Sequence, residues 1–256
     1  MLEQLKLMTD LNKIIADLEP ISLTEMDTVK LMNRTDTKFA FNSQLLANIL
    51  EKSKSDYRIL EIKNTRTPSY KTLYFDTPDH QLFLDHHNER GYRYKVRIRN
   101  YVESELFYLE VKKKVNGRTD KNRIKLDKFY ETLTPEQTTF IAESTGDKIE
   151  LAPTLWNNFN RITLVNKLVP ERITIDLGLT FSEKNNNYPL NHLVIAELKQ
   201  ERINLHSPFI KILKSFGIRE SSLSKYCIGS LYCYKGLKYN NFKEKLLKID
   251  KINKAA

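Results

Sequence analysis

A ten-residue segment near the middle of the chain, Tyr92–Tyr101, alternates apolar side chains with cationic ones. Strict alternation that is rich in aromatic and β-branched residues predicts a β-strand, because successive side chains of a strand point to opposite faces. One face is then apolar, and the other carries four cations about 7 Å apart, namely Arg93, Lys95, Arg97 and Arg99. Such a row repels itself unless anions lie against it. The strand is therefore either a solvated, charge-protected edge or part of an anion-binding surface.

The same two-faced pattern recurs on the next two predicted strands, residues 106–114 and 121–126. Lys112 lies on the charged face of the first, and Lys121 and Arg123 lie on that of the second. A sheet places these rows side by side, so the repetition favours a shared role over three separate solvated faces. The rows point either outward to water or inward to a lumen, and the inward arrangement is costly unless the charges are paired or bind a ligand.

Alternation elsewhere predicts further strands, and apolar spacings of three and four residues predict helices. The additional strands are expected at residues 34–41, 57–63, 71–76, 161–168, 171–181 and 193–200. Helices are expected at residues 2–19, 24–31, 44–53 (with Ser43 as the N-cap), 80–87, 134–146 and 207–216, with a last one after Ser224-Lys225-Tyr226. Residues 184–187 are expected to form a polar loop, and the lysine-rich tail 238–256 is expected to fray.

The number and length of these elements predict an α+β fold. Six or more amphipathic strands, mostly joined by short turns, indicate an antiparallel sheet that closes or nearly closes. With no internal repeat or linker, residues 1–256 are predicted to form a single domain, which begins with a helix at residues 1–20.

The net charge of +10 implies an acidic partner, which is a nucleic acid, a membrane surface or a polyphosphorylated ligand. No run of about 18 apolar residues occurs, so no transmembrane segment is expected. Cys227 and Cys233 are the two cysteines and are typical of reduced thiols; without a signal peptide, they favour a cytoplasmic location. No glycine-rich phosphate loop is present, so the P-loop and Rossmann classes have no support.

Carboxylates interrupt the cationic faces at Glu110, Asp176 and Glu197. Each of them alone is explained by a salt bridge. As a set on the strands of one barrel, they supply the hard oxygen ligands that Mg²⁺ and Mn²⁺ prefer.

Aromatic side chains bear on the choice between nucleic acid and other anions. Proteins that bind nucleic acid on a sheet usually expose aromatic residues for base stacking. Tyr92, Tyr94 and Phe107 lie on the faces opposite the cations and are expected in the core. Nucleic acid is therefore not expected as a partner.

Seven short motifs follow one another along residues 26–234: Arg34-Thr-Asp-Thr-Lys-Phe, Tyr74-Phe-Asp-Thr-Pro, Val96-Arg-Ile-Arg, Leu109-Glu-Val-Lys, Arg172-Ile-Thr-Ile-Asp, Ala196-Glu-Leu-Lys and Ser224-Lys-Tyr. In this order and spacing, the chain resembles the polyphosphate polymerase domain of the vacuolar transporter chaperone (VTC) complex, in its stand-alone bacterial form. That domain belongs to the triphosphate tunnel metalloenzymes, with the CYTH proteins. The resemblance implies a closed antiparallel β-barrel, or tunnel, of about eight strands, with helices packed outside and at the ends.

The resemblance and the charged strand faces together indicate the site. Substrate binding is expected at Lys38, Arg97, Arg99, Lys112, Lys121, Arg123, Arg161, Arg172, Ser224 and Lys225. Within this set the catalytic residues are expected to be Arg97, Arg99, Lys112 and Lys225, and Glu197 is expected to bind Mn²⁺ or Mg²⁺. The wider superfamily carries Glu-x-Glu-x-Lys on its first strand. Here Arg34 replaces the first glutamate, which agrees with the polymerase branch.

The reaction implied is transfer of the γ-phosphoryl group of ATP to a growing polyphosphate chain, with release of ADP. The implied partners are ATP and polyphosphate or inorganic phosphate. Two alternatives stay open. One is a metal-dependent triphosphatase that uses water as the acceptor, and the other is a non-catalytic barrel that binds polyphosphate or RNA.

Overall fold

The structure is a computed structural model that describes residues 2–27, 35–116 and 118–254, with side chains from Asp10 onward. Arg34, the first residue of the first motif, lies outside the described residues. The same holds for residues 28–31 of the expected second helix, whose described part is Leu23–Asp27. Within the described ranges, no helix is long and apolar enough to cross a membrane.

The architecture is α+β, and its strands form one connected sheet. The strands are β1 (Pro20–Ile21), β2 (Thr35–Asn42), β3 (Tyr57–Leu60), β4 (Ser69–Asp76), β5 (Tyr92–Tyr101), β6 (Leu106–Val115), β7 (Arg118–Leu126), β8 (Ala152–Asn166), β9 (Glu171–Glu183), β10 (Asn186–Leu190) and β11 (Leu193–Gln200). Eight of them follow the order β2-β11-β9-β8-β4-β5-β6-β7, with antiparallel pairing throughout. The short strands β1, β3 and β10 pair beside this path.

This eight-stranded sheet curls strongly into a half-barrel. Lys38 of β2 and Lys121 of β7, from the two ends of the path, line one and the same cavity. The sequence predicted a closed barrel, and no hydrogen-bonded pairing joins β2 to β7 among the residues that the structure describes. The antiparallel half-barrel is therefore observed, and its closure stays a prediction.

Helices cover the outer face of the sheet and one end of the half-barrel. They are α1 (Leu2–Asp17), α2 (Leu23–Asp27), α3 (Leu46–Ser53), α4 (Gln81–His87), α5 (Pro135–Thr145), α6 (Pro208–Ser215), α7 (Lys225–Cys233) and α8 (Lys243–Lys254). Local sequence sets several of these starts, because a side-chain oxygen satisfies a free N–H of the first turn. Thr134 forms a capping box with Gln137 at the start of α5, and Ser207 and Ser224 cap α6 and α7.

Alternation along the strands separates a packed face from a charged one. Val96, Ile98 and Val111 are fully buried in a cluster that includes Ile141 of α5. On β11, Ala196 and Leu198 are buried in a second cluster with residues of α3 and α6. The opposite, concave face carries the cations. Of the two orientations that the two-faced pattern left open, this is the inward one.

One local expectation is wrong, and two others are confirmed only in part. Ser43 does not cap the third helix; the Asn42 side chain accepts from the Gln44 N–H, residues 43–45 form a 3-10 turn, and α3 begins at Leu46. The strand expected at 161–168 is present as far as Asn166, and it is the second half of a longer strand, β8, which has a register shift between Asn158 and Asn160. Of the polar loop expected at 184–187, Lys184 and Asn185 form a tight turn, whereas Asn186 and Asn187 already pair with β9 as the start of β10.

The tail does not fray within its described residues. Ile249 of α8 is buried, and so is Phe242 in the turn before it. Asn42 Nδ2 donates a hydrogen bond of 2.7 Å to the Ile252 carbonyl, and the His192 N–H donates to Asn253 Oδ1 at 3.0 Å. The many lysines concealed this packing, because a few apolar side chains on one face of a helix are enough to anchor it.

We expect Ile249→Ala to lower the free energy of unfolding by about 3 kcal/mol, since it leaves a cavity under α8. Leu247→Ala is the matched control on the same helix, because Leu247 is 61% exposed and Ile249 is 1% exposed. The control should change stability by less than about 0.5 kcal/mol. Urea denaturation of both variants measures this, and equal effects would mean that α8 does not pack in solution.

Candidate anion-binding site

The concave face of the half-barrel encloses a cavity of about 930 Å³. Its lining is dominated by positive charge. Among the described residues, thirteen lysines and arginines line it: Lys38, Arg93, Lys95, Arg97, Arg99, Lys112, Lys114, Lys121, Arg123, Arg161, Arg172, Lys199 and Lys225. Three carboxylates, Asp36, Asp176 and Glu197, line it as well.

Every residue that the sequence placed in the site lines this one cavity. The ten expected substrate-binding residues do so, from Lys38 on β2 to Lys225 at the start of α7, and Glu197 lies among them on β11. The set comes from β2, β5, β6, β7, β8, β9, β11 and the N-terminus of α7, so the curl of the sheet brings together residues that are distant in sequence.

Glu110 on β6 holds two of the cations on one wall. Its carboxylate accepts from Arg97 Nε at 2.7 Å and is paired with Lys121 Nζ on β7. Burial would raise the pKa of the fully buried Glu110, but the neighbouring Arg97 and Arg99 outweigh burial and lower it. The carboxylate therefore stays ionised and balances one of its two partners.

Asp176 on β9 likewise holds two cations, on the opposite wall. Arg161 Nε and Nη2 donate to its two carboxylate oxygens at 2.6 and 2.9 Å, and Lys225 Nζ is paired with it. Burial opposes its ionisation, but Arg161 and Lys225 prevail and lower the pKa of Asp176 to about 2. Arg161 and Lys225 are thus held in place before any ligand binds.

Glu197 on β11 is the third such carboxylate. Lys38 Nζ lies 3.1 Å from its Oε1, and Lys199 Nζ is paired with its Oε2. Burial would raise the pKa of Glu197, but Lys199 and Lys38 hold it well below its usual range. In the absence of a ligand, Glu197 is therefore an ion-pair partner, as the salt-bridge interpretation of this carboxylate expected.

Arg99, which is buried, and Lys112, which is half-buried, have no carboxylate partner in the described part of the chain. Arg99 donates from Nε to Thr72 Oγ1 at 3.3 Å, and Lys112 forms no ion pair. Arg97 lies close to Lys112 and, together with burial and Arg99, holds the Lys112 pKa well below its usual range. Neighbouring like charges thus make the charged form of Lys112 unfavourable until an anion is bound.

Aromatic rings lie beneath the guanidinium groups, and the sequence interpretation missed them. The Arg99 and Arg161 guanidinium carbons lie 5.7 and 4.8 Å from the Tyr70 ring centre, and Arg123 lies 4.6 Å from that of Tyr108. These distances suit cation–π attraction, which partly offsets the cost of burying a cation. The alternation of Tyr70 and Tyr74 on β4, which is paired with β5, was the available signal.

The expected burial of the aromatic residues opposite the cations is observed only in part. Tyr92 is 58% exposed at the start of β5 and is therefore not a core residue. Tyr94 is buried as expected, and Phe107 is partly buried against the Phe129 ring. Tyr70 and Tyr108 line the cavity on the same side as the cations. The positions of Tyr92, Tyr94 and Phe107 therefore do not by themselves exclude base stacking in the cavity.

A buried carboxylate outside the cavity fixes the start of α7. Asp76, at the end of β4, accepts the N–H groups of Leu82 and Phe83 at 2.8 and 3.0 Å and the Tyr226 hydroxyl. Tyr226 directly follows Lys225, so Asp76 links α4 to the helix that presents Lys225. This role was not predicted, because Asp76 lies on a strand end and its partner is 150 residues away.

Oxygen and nitrogen donors in the cavity determine whether a divalent metal could bind there. The described residues contain no group of three or more histidines, cysteines, aspartates or glutamates that could hold an ion by themselves. Mg²⁺ and similar ions are usually bound by one or two carboxylates, with water and substrate phosphates completing the shell. The residues around Glu197 therefore fit a metal that binds together with a phosphate ligand, and they do not fit a metal cage made of protein alone.

Residues 33–234 match the family model of the VTC domain. The chain belongs to the VTC domain family. This confirms the resemblance that the seven motifs indicated. No curated protein sequence matches this VTC domain significantly.

Several solved structures match this VTC domain at low sequence identity. A proposed adenylate cyclase from Vibrio parahaemolyticus shares 10% identity over 78% of this chain and 99% of its own, with a TM-score of 0.48. A proposed adenylyl cyclase from Hippeastrum, described as having a dominant triphosphatase activity, shares 14% identity over 81% and 99%, with a TM-score of 0.49. A proposed adenylate cyclase from Bacillus halodurans shares 13% identity over 76% of this chain and 96% of its own, with a TM-score of 0.46. At TM-scores below 0.5, these likenesses carry no argument about activity.

Arg97 and Arg99 should respond differently to replacement by methionine. Arg97→Met leaves buried Glu110 with one partner, so we expect a loss of about 3 kcal/mol in the free energy of unfolding. Arg99→Met breaks no ion pair and relieves repulsion, so stability should be unchanged or higher. Urea denaturation without phosphate ligands measures both variants. Equal losses would show that Arg99 is structural.

Lys112 should take up a proton when a polyanion binds. Its pKa is lowered in the free protein, and a bound anion favours its charged form, so affinity for tripolyphosphate should fall as pH rises through the free-protein pKa. Calorimetry in buffers of different ionisation enthalpy measures the uptake, at a pH where tripolyphosphate is fully ionised. Lys112→Met should remove the proton uptake.

The lowered pKa of Lys112 also means that the unfolded chain binds more protons than the folded one, so the stability of the ligand-free protein should rise over this pH range.

Proposed function

We propose that this VTC domain is an ATP-dependent polyphosphate polymerase that transfers the γ-phosphoryl group of ATP to the end of a polyphosphate chain and releases ADP. The observation that carries the proposal is the excess of cations in one cavity, where thirteen lysines and arginines face three carboxylates. Membership of the VTC family supports a phosphate polymer as the ligand. The volume of about 930 Å³ suits a ligand of nucleotide size.

The cavity walls would hold the reacting phosphates in line. Arg97 and Arg99 on β5 and Lys112 on β6 form one wall, and Arg172 on β9 and Lys225 on α7 form the other. Phosphoryl transfer depends on positioning and on neutralising the charge of the transferred group, with little covalent chemistry from the protein. Cations on both sides meet these two needs, because arginine forks bind two phosphate oxygens at once.

The acceptor determines what further groups are needed. A terminal oxygen of polyphosphate attacks the γ-phosphorus, and the bond from that phosphorus to the bridging oxygen of the β-phosphate breaks. The attacking oxygen is already anionic, so no strong general base is required. Retention of the growing chain among cations would also favour successive additions over release.

A divalent metal would be held by Glu197 together with phosphate oxygens and water. When bound, it would neutralise negative charge that develops on the β- and γ-phosphate oxygens. The lysines that contact Glu197 in the free protein, Lys38 and Lys199, would then turn to the phosphates. The residues present do not distinguish Mn²⁺ from Mg²⁺.

Incubation of the purified protein with ATP and Mn²⁺ tests the proposal directly. We expect ADP and an acid-labile phosphate polymer that lengthens with time. Free phosphate without polymer would indicate a triphosphatase instead of a polymerase. If neither product forms, the remaining candidate is a non-catalytic barrel that binds polyphosphate or RNA. Arg118→Ala is a control for non-specific charge effects, because Arg118 is exposed and does not line the cavity.

Glu197→Gln separates the metal-binding role from the ion-pair role, because it keeps size but removes the negative charge. Under the proposal, turnover falls by orders of magnitude, tripolyphosphate still binds through the arginines, and additional Mn²⁺ restores little activity. If Glu197 serves only as an ion-pair partner, turnover survives and the melting temperature falls. Kinetics across a Mn²⁺ titration, beside melting curves, decide between them.

A further inference from the structure

One row of side chains crosses four neighbouring strands on the concave face. Thr163 of β8 is paired in register with Thr174 of β9, Thr174 with Glu197 of β11, and Glu197 with Lys38 of β2. Residues directly opposite each other in antiparallel strands have their Cβ atoms about 5 Å apart and point to the same face. Glu197 therefore has a lysine on one side and a threonine hydroxyl on the other.

The Thr174 hydroxyl is buried and has no partner. Thr174 lines the cavity and is 5% exposed, and its Oγ1 makes no hydrogen bond within the described part of the chain. Lys38 and Lys199 both approach Glu197, yet Thr174 does not bond to it. Buried polar atoms are nearly always hydrogen-bonded in folded proteins, so an unpartnered hydroxyl that faces a cavity points to a ligand.

The neighbours of Thr174 define the chemistry of that ligand. Its hydroxyl oxygen and the Glu197 carboxylate are both hard oxygen donors, and the register pairing places them side by side. Such donors suit Mg²⁺ or Mn²⁺, and a hydroxyl beside a carboxylate is a known way to bind the metal of a nucleotide complex.

We propose that Thr174 Oγ1 is a second protein ligand of the divalent cation and completes, with Glu197, the protein side of the metal site. The inference rests on the proposed function, because phosphate oxygens and water must supply the remaining ligands. Lys38 and Lys199 must release Glu197 before it can bind a metal. An oligophosphate provides the oxygens that these lysines then contact, so metal and oligophosphate bind more tightly together than separately.

The test measures this coupling and does not depend on turnover. The affinity for tripolyphosphate is determined by calorimetry with saturating Mn²⁺ and again with a chelator, and the ratio is the metal enhancement. Thr174→Val should reduce the enhancement about tenfold and leave metal-free binding unchanged, because it removes a ligand and keeps the shape. Thr174→Ser should preserve the enhancement. Thr163→Val is the matched control, since Thr163 is equally buried but one strand farther from Glu197.

Thr174→Cys provides a second, positive readout. A thiol ligand favours soft metals, so this variant should shift the enhancement from Mn²⁺ towards Cd²⁺, and Thr163→Cys should not. Native Cys227 and Cys233 are present in every variant and set the background.

The outcomes separate this inference from the proposed function. If Thr174→Val weakens metal-free binding as much as metal-dependent binding, the hydroxyl contacts phosphate and the inference is wrong. An unchanged enhancement in both Thr174→Val and Thr174→Cys would also overturn it, and polymer synthesis by the wild type would still support the polymerase. If wild-type protein shows no enhancement by Mn²⁺, both the inference and the metal-binding role of Glu197 are wrong.

Discussion

Repulsion between buried cations is the constraint on which this structure depends. The concave face of the sheet collects arginines and lysines from both walls, and a smaller number of carboxylates offsets part of their charge. Glu110, Asp176 and Glu197 each pair with two cations, one of which, Lys199, also lies 3.9 Å from Asp36. Their lowered pKa values keep all three ionised. The fold thus tolerates an excess of positive charge that a polyanion can neutralise.

The remaining architecture supports this arrangement. Outer-face residues such as Val96 and Leu198 are buried under helices, which supplies the hydrophobic free energy that a charged interior lacks. The aromatic ring of Tyr70 lies beneath two guanidinium groups and limits their contact with water. Asp76 holds Tyr226 and thereby fixes the helix start that carries Lys225. The cations are in this way positioned before a ligand arrives, which lowers the ordering cost of binding.

Much of this could be predicted from the sequence, because a strand has a period of two. The alternation in Tyr92–Tyr101 separated core from cavity residues, and the motif order placed Lys38, Glu197 and Lys225 in one site. Features that depend on tertiary contacts could not be predicted in this way. The position of Tyr70 beneath Arg99 requires the pairing of two strands, and the burial of Ile249 requires a surface on which α8 can pack. Thr174 looked unremarkable in sequence, since its significance lies in a missing hydrogen bond.

The central claim is that the cavity between the two cationic walls is the binding site of a linear oligophosphate. A crystal structure with tripolyphosphate and Mn²⁺ tests this most directly. We expect the phosphates to lie between the walls, with oxygens within hydrogen-bonding distance of Arg99 and Lys112, which have no carboxylate partner in the described ranges. A ligand bound on the outer surface, with the cavity free of phosphate at saturating concentration, would contradict the account.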